Sequence, residues 1–367
     1  MSRLRVLHLI PTLGGGGAER QLALLSQAQC KEGLDVEIGY FRPGRYLSDL
    51  RESPVRMWQI RALGNYDPLA LVRIVRLVRR RKPDVVQTWL TQMDVMGGIA
   101  AFVTNVPCVV SERSSAQAYP PSMKNSLREF VTRRARVIVA NSEGGANYWR
   151  MALPGARVEV VRNVVVLEER RIRRSVDVDS LGLPPDAQII LSAGRLGREK
   201  NVGTLIEALD GVLRFRPRAA AIIFGDGPLR EELEVRVHRC EMRDRIRMCG
   251  HTNELEAWMN RADVLVSLSL FEGSPNTVLE AMAIGCPLVV SDIPQHREIL
   301  QEEEARFCDP VSALEVREAI EATLSDPAGS RARAAIARER IEGWSAGAAA
   351  RRYASIYETV ARRSELG

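Results

Sequence analysis

The chain has 367 residues, 46 % of them hydrophobic and 27 % charged, an ordinary globular composition with the length for two or three domains. No run of ~18 apolar residues offers a membrane-spanning helix, and six cysteines without a C-x-x-C pair predict buried free thiols in a reducing compartment. The net charge of +6 is uneven, with 24 Lys and Arg against 13 Asp and Glu in residues 1–165 and 28 against 33 in the rest, while an aromatic content of 5 % and the lack of a recognition motif argue against nucleic acid.

A first strand is predicted over 5–10, where the apolar run is too short for a secretory leader. A glycine loop at 14–17 leads into a helix over 18–29, and strands follow at 35–41, 83–90, 107–113, 136–142 and 158–163. Helical stretches separate many of them, which is the signature of a doubly wound parallel sheet. Leu71–Lys82 and Ser122–Arg136 set Arg among apolar residues at helical spacing. Such faces suit solvated amphipathic helices, or docking on anionic lipid at roughly 1 kcal/mol per basic residue.

A charged stretch, 167–186, is poor in core residues and ends in Pro184-Pro185, so it reads as a connection. Strands then recur at 189–196, 219–227, 245–251, 263–269 and 287–292, and the Ala- and Arg-rich tail from Ala346 reads as a terminal helix. The expected fold is α/β, with two Rossmann-like doubly wound parallel-sheet domains over 1–166 and 187–345 joined by 167–186.

The chemistry concentrates in F-E-G-S-P-N-T-V-L-E-A-M, from Phe271. Ser274 and Pro275 predict a helix start, with Ser274 as N-cap. Its free N–H groups and positive dipole end form an anion site. Glu272 lies just before that end and Glu280 about a turn and a half inside it, so a carboxylate, a phosphate site and a second carboxylate follow in the order of a sugar, a diphosphate and a ribose. A-G-R-L-G-R-E-K-N, 193–201, also follows a strand. Arg195 supplies a planar fork and Lys200 a point charge, together able to neutralise a diphosphate. G-G-G-G-A-E-R, 14–20, lets backbone N–H groups approach a phosphate but is not a clean dinucleotide fingerprint. F-G-D-G-P, 224–228, reads as structural glycines in a tight turn. Asp177 and Asp179 spell D-x-D within the polar connection, away from any strand end, and no metal site is read from them or from the four histidines.

These motifs together resemble family 4 of the retaining, GT-B-type glycosyltransferases (glycosyltransferase group 1), over nearly the whole chain. The resemblance implies an active site in a cleft between the domains and a C-terminal helix, about 346–367, that packs back on the first. It implies that Arg195 and Lys200 bind the donor diphosphate, that Glu280 holds the ribose, and that Glu272 contacts sugar hydroxyls and steadies charge at the anomeric carbon. Gly273, Ser274, Asn276 and Thr277 then face phosphate or sugar, and Gly16 and Gly17 the donor phosphates. Arg195, Lys200 and Glu272 form the implied catalytic set. His251, ending a strand, is placed to face a base. Where many members carry a histidine, this chain has Arg113 in S-E-R-S-S, a candidate for an acceptor or phosphate contact. The Asn-Gly turn common before the connection is replaced by Arg162-Asn163-Val164-Val165.

The resulting expectation is a transferase with retention of anomeric configuration. A UDP-sugar donor is favoured over a GDP-sugar, with no cofactor and no obligatory metal. The basic first half points to a glycan or lipid-linked acceptor and to an anionic membrane surface, on the inner face of the cytoplasmic membrane of a cytoplasmic protein. Two other classes share parts of the pattern. A nicotinamide oxidoreductase would need an acidic residue ending the second strand, and Tyr40-Phe41-Arg42 offers none. A non-catalytic nucleotide-sugar-binding or scaffold protein would tolerate Glu272→Ala.

Overall fold

The computed structural model describes residues 3–64, 67–165, 172 and 174–365. The chain divides into two compact units, 1–166 with 344–367, and 167–343. In the first, seven parallel strands are β1 (Arg5–Thr12), β2 (Asp35–Arg42), β3 (Arg56–Gln59), β4 (Val85–Trp89), β5 (Cys108–Glu112), β6 (Val137–Ala140) and β7 (Val158–Val160). Their order is β3-β2-β1-β4-β5-β6-β7. Every residue of β4 and β5 is buried, the polar Gln87, Thr88, Ser111 and Glu112 included, which is why those runs do not alternate apolar with polar. Along β1, Val6 and Ile10 enter one core and Leu7 and Leu9 the other, so both faces of the sheet are covered.

The terminal helix Ala346–Glu365 packs on helix Gly17–Lys31. It places Tyr353, Ile356, Tyr357 and Val360 in the core beside Val6 and Trp89. A buried chain of hydrogen bonds locks it there. Trp89 Nε1 donates to His8 Nδ1 (3.1 Å), His8 Nε2 bonds Gln29 Oε1 (2.9 Å), and Gln29 Nε2 donates to the Tyr357 hydroxyl (3.0 Å), which donates to Gln87. Burial pushes the His8 pKa down to about 4.

Of the two Arg-rich segments, one forms helix Pro68–Arg81 and the other helix Met123–Thr132. The second is not a uniformly solvated face. Arg128 is buried, with Nε on Asp94 (2.7 Å) and Nη2 on Glu112 (2.9 Å), its guanidinium over Tyr119 and Trp149. Burial pushes Asp94 up to about 6 despite that cation. The Glu112 carboxylate also accepts from the amides of Arg113 and Ser114, the Tyr119 hydroxyl and Trp149 Nε1 (2.7–2.8 Å), and so fixes the loop after β5.

In the second unit six parallel strands are β8 (Gln188–Ala193), β9 (Ala219–Phe224), β10 (Ile246–Gly250), β11 (Val264–Ser267), β12 (Leu288–Ser291) and β13 (Arg306–Cys308). Their order is β10-β9-β8-β11-β12-β13. The direction of winding reverses between β8 and β11, the switch point beyond whose carboxyl ends such sheets bind ligands. Both units are thus Rossmann-like and doubly wound.

One edge strand in each sheet escapes the sequence pattern. In β3, Arg56-Met57-Trp58-Gln59 is half exposed and pairs only with β2, and β13 is three residues pairing only with β12. Within the stretch read as a connection, residues 174–186 belong to the second unit. Val178 and Leu183 are buried, Arg247 Nε donates to Leu181 O (2.7 Å), and Arg174 pairs with Glu254 (3.0 Å). The D-x-D is a turn cap, with Asp177 Oδ1 accepting the Ser180 amide (3.0 Å). All six cysteines are free thiols. Cys108, Cys286 and Cys308 are buried, and burial raises each to about 12; Cys30, Cys240 and Cys249 are half-buried.

Candidate active site

The loop after β8 is held in shape by the turn after β9. The amide of Gly194 donates to Phe224 O (3.0 Å), Leu196 to Asp226 O (2.9 Å) and Leu229 back to Leu196 O (3.0 Å). A Cβ on Gly225 would sit 1.8 Å from Gly194 O at a φ of +133°, and one on Gly227 2.5 Å from Leu196 O. Only glycine fits either place, so G-D-G is structural, and what it supports is the segment carrying Arg195. That side chain is exposed and makes no ion pair with a described residue.

Lys200 ends the same loop, and its stem lies across Gly194. Asn201 then turns the chain through a left-handed φ of 50° into helix Val202–Phe215, its Nδ2 donating to Pro310 O (2.5 Å). From the neighbouring strand, β11, the loop Leu268–Pro275 returns beside it, and the amide of Leu270 donates to Glu199 O (2.8 Å). Lys200 Nζ is ion-paired to Glu272 Oε1, and Ser269 Oγ donates to the same oxygen (2.6 Å). The structure therefore joins two residues 72 positions apart in sequence, at the carboxyl ends of β8 and β11.

Helix Asn276–Ile284 begins one residue later than the sequence predicts. Pro275 is the N-cap, at φ −80° and ψ 80°, and Ser274 caps through its carbonyl, which accepts the Asn276 amide (3.0 Å). The Ser274 hydroxyl does not cap the helix, because Pro275 leaves the helical region before the first turn. The first turn carries neither an acidic residue nor a side-chain cap, so no side-chain charge neutralises the positive dipole end that would face an anion. Gly273 is buried; Ser274, Asn276 and Thr277 are half-buried around this end; Glu280 is buried one turn inside.

Gly16 and Gly17 lie in the first unit, exposed where helix Gly17–Lys31 begins. A Cβ on Gly16 would meet the Glu19 carboxylate at 2.3 Å. That carboxylate folds back over the helix start on its own amide, and burial raises its pKa. Arg113 donates through Nε to Ser111 (3.2 Å), through Nη1 to Asn163 (2.9 Å) and through Nη2 to Tyr353 (3.0 Å), and its guanidinium stacks on Trp89 at 4.1 Å. All these partners are uncharged. His251 follows β10, exposed. Among the described residues no three His, Cys, Asp or Glu come together as a metal site.

Three residues of this site carry no sequence signal. Ser269, two residues beyond β11, and Ser291, at the end of β12, are ordinary small polar residues, and His296 sits in the short helix Pro294–Arg297. All three are fully buried. Ser291 Oγ donates to Ser269 O (2.6 Å), and His296 Nδ1 lies 2.8 Å from Ser291 O and 3.1 Å from its Oγ. Burial lowers the His296 pKa to about 4, against the opposing field of Glu272.

Residues 15–169 match the family model described as Glycosyltransferase Family 4, and residues 174–340 the one described as Glycosyl transferases group 1. The chain is 24 % identical over 325 residues to the UDP-Gal:alpha-D-GlcNAc-diphosphoundecaprenol alpha-1,3-galactosyltransferase of Escherichia coli, covering 82 % of this chain and 83 % of that one. It is 25 % identical over 308 residues to the putative glycosyltransferase EpsF of Bacillus subtilis, covering 79 % and 80 %. The crystal structure of Anabaena HepE in complex with UDP and glucose shares the fold at a TM-score of 0.83 and 20 % identity, over 97 % of this chain and 100 % of that one.

Proposed function

This chain belongs to the family 4, group 1 glycosyltransferases of the GT-B fold, and from that premise we propose that it moves a hexose from a UDP-sugar to a hydroxyl of a lipid-linked glycan, with retention at the anomeric carbon. One observation carries the reading. At the switch point of the second unit, Lys200 is paired to Glu272 beside a helix start that carries no side-chain cap and no acidic residue.

The chemistry follows from those charges. The bond from the anomeric carbon to the diphosphate breaks, and the departing oxygen takes the negative charge. Lys200, Arg195 and the start of helix Asn276–Ile284 stabilise that charge where a metal would otherwise act. The acceptor oxygen bonds the same face of the carbon, and its proton passes to the departing phosphate. Glu272, already bonded by Lys200 and Ser269, holds sugar hydroxyls and steadies the cationic carbon instead of attacking it. Glu280 holds the ribose, and His251 faces the base. The donor class is supported by the UDP-sugar of the Escherichia coli relative and by the ligands of Anabaena HepE.

The first unit takes the acceptor in this reading. Arg113 is a half-buried cation held only by neutral partners, which suits an acceptor phosphate. The diphosphoundecaprenol acceptor of the Escherichia coli relative supports that class. Docking on anionic lipid is supported by an exposed apolar and basic patch. Phe102, Met123, Leu127 and Phe130 are exposed on two packed helices, and Arg134 lies 4.8 Å over Phe102 and 5.1 Å over Phe130. No helix among the described residues is long and apolar enough to cross a membrane.

The test is transfer in EDTA from UDP-glucose, UDP-galactose or UDP-N-acetylglucosamine to an undecaprenyl-diphosphate-linked sugar, with the new anomeric linkage read by NMR. Retention, with activity lost in Glu272→Gln, is the expected result. Inversion, or full activity in Glu272→Gln, overturns it.

A further inference from the structure

His296 stands outside every role given above, yet it is wholly buried and hydrogen-bonded toward the site. A carbonyl oxygen only accepts, so a ring nitrogen 2.8 Å from Ser291 O must carry the proton. Nδ1 is therefore the donor, and Nε2 is a bare acceptor with no partner among the described residues. From Ser291 the path continues through its Oγ to Ser269 O, and from Ser269 Oγ to Glu272 Oε1. Each link is 2.6–2.8 Å. The short helix is anchored on its far side, where Arg297 grips Asp292 (2.6 and 2.9 Å) and stacks 3.7 Å over Phe307.

We propose that His296 is a positioning residue for Glu272, acting through Ser291 and Ser269. Its Nδ1–H fixes Ser291, whose Oγ ties the chain leaving β12 to the chain leaving β11 through Ser269 O, and so aims the Glu272 carboxylate. The other bond on that oxygen comes from Lys200, a cation that donor phosphates also attract. When the diphosphate draws Lys200, the serine is the bond that remains. The chain thus keeps the carboxylate in place during the step that needs it. An oxygen displaced by about 1 Å can cost ~100-fold in rate.

This inference rests on Glu272 serving the reaction, and the experiment separates the two. Asn places an amide N–H where Nδ1–H stands, whereas Gln reaches only the Nε2 position. His296→Asn should keep kcat within about threefold. His296→Gln, His296→Ala and Ser269→Ala should each lower kcat tenfold or more, with the dissociation constant for UDP within about threefold of wild type. The double variant Ser269→Ala with His296→Ala should be no slower than the slower single, because both break one chain. Ser269→Ala leaves the histidine core intact and serves if a His296 variant fails to fold. Loss in Asn equal to that in Ala, retention in Gln, or additive single losses overturns the positioning role. Full activity in Glu272→Gln would instead overturn the reading of the site.

Discussion

The Lys200–Glu272 pair makes nucleotide binding a test of charge accounting. In the free protein the lysine neutralises the carboxylate, their side chains 23 % and 12 % exposed. Lys200→Met removes a cation and at the same time exposes an anion to the incoming diphosphate. One unit charge at ~5 Å and an effective dielectric of ~20 acts with about 3 kcal/mol before salt screening. With half of that retained for the lost cation and a similar share for the unmasked carboxylate, UDP affinity falls roughly 100-fold, at about 1.4 kcal/mol per decade. Arg195 is exposed and masks nothing, so Arg195→Met costs roughly tenfold or less. Adding Glu272→Gln to Lys200→Met removes the unmasked anion and recovers about tenfold. Isothermal titration with UDP at 0.05 and 0.15 M salt reads all four proteins, with Tm as the folding control. If the double variant binds no better than Lys200→Met, the carboxylate does not feel the diphosphate and this picture of the pair is wrong.

Gly225→Ala should lower Tm by at least ~5 °C and weaken UDP binding, since a methyl 1.8 Å from Gly194 O forces the Arg195 loop to move; an unchanged melt would refute the packing. Acid should unfold the second unit first. His8 and His296 each have a folded pKa of about 4 against 6.5 unfolded, so each contributes stability above pH 6.5 that is lost as pH falls toward 4, about 2 kcal/mol by pH 5. In the first unit Asp94, raised to about 6 from 3.8, works with the opposite sign and offsets most of the His8 loss, whereas His296 stands without such an offset. Hydrogen exchange at pH 7 and pH 5 decides it, and earlier opening of the first unit would contradict the sign. Arg113→Met should slow transfer to a diphosphate-linked acceptor at least tenfold with UDP affinity unchanged; equal rates would remove the acceptor role. Phe102→Ser with Phe130→Ser should abolish sedimentation with phosphatidylglycerol vesicles at 0.15 M salt, and undiminished sedimentation would remove the patch from the docking surface.

What the sequence shows depends on how local the signal is. A buried central strand such as β12 opens on an unbroken apolar run, Leu288-Val289-Val290, and is legible at once, whereas β3 and β13 are edge strands of four and three residues with one neighbour each. Glu272 and Glu280 are singled out because the helix start between them has its own residue chemistry, although Pro275 moves that start by one position. Ser269, Ser291 and His296 are not found. Their meaning lies in a chain of side-chain hydrogen bonds that crosses from the end of β12 to the loop after β11, and a serine near a strand end looks the same with or without such a bond. Arg128 is misread for the related reason that helical spacing identifies a face but not the two carboxylates, Asp94 and Glu112, that meet it.

The charge surplus of the first half shows how such long-range pairing concentrates a signal. Its carboxylates are largely engaged by arginines inside the unit: Asp84 by Arg5, Asp67 by Arg73, Glu37 by Arg81, Asp94 and Glu112 by Arg128, and Glu143 by Arg150. The basic residues outnumber the acidic ones, and part of the excess lies on the surface. Arg76, Arg79 and Arg80 are exposed on helix Pro68–Arg81, Lys124 on helix Met123–Thr132, and Arg133 and Arg134 just beyond it. Both helices pack on Leu90–Val103, which ends in the exposed Phe102 and Val103. Internal ion pairs thus take many of the scattered charges out of the balance and leave these six basic residues exposed on one helical layer, next to the apolar side chains that an anionic bilayer would accept. Electrostatic attraction of that layer falls with salt, while insertion of Phe102 and Phe130 does not. Binding that weakens with salt in wild type but persists until both phenylalanines are replaced is therefore the signature that separates docking from charge attraction alone.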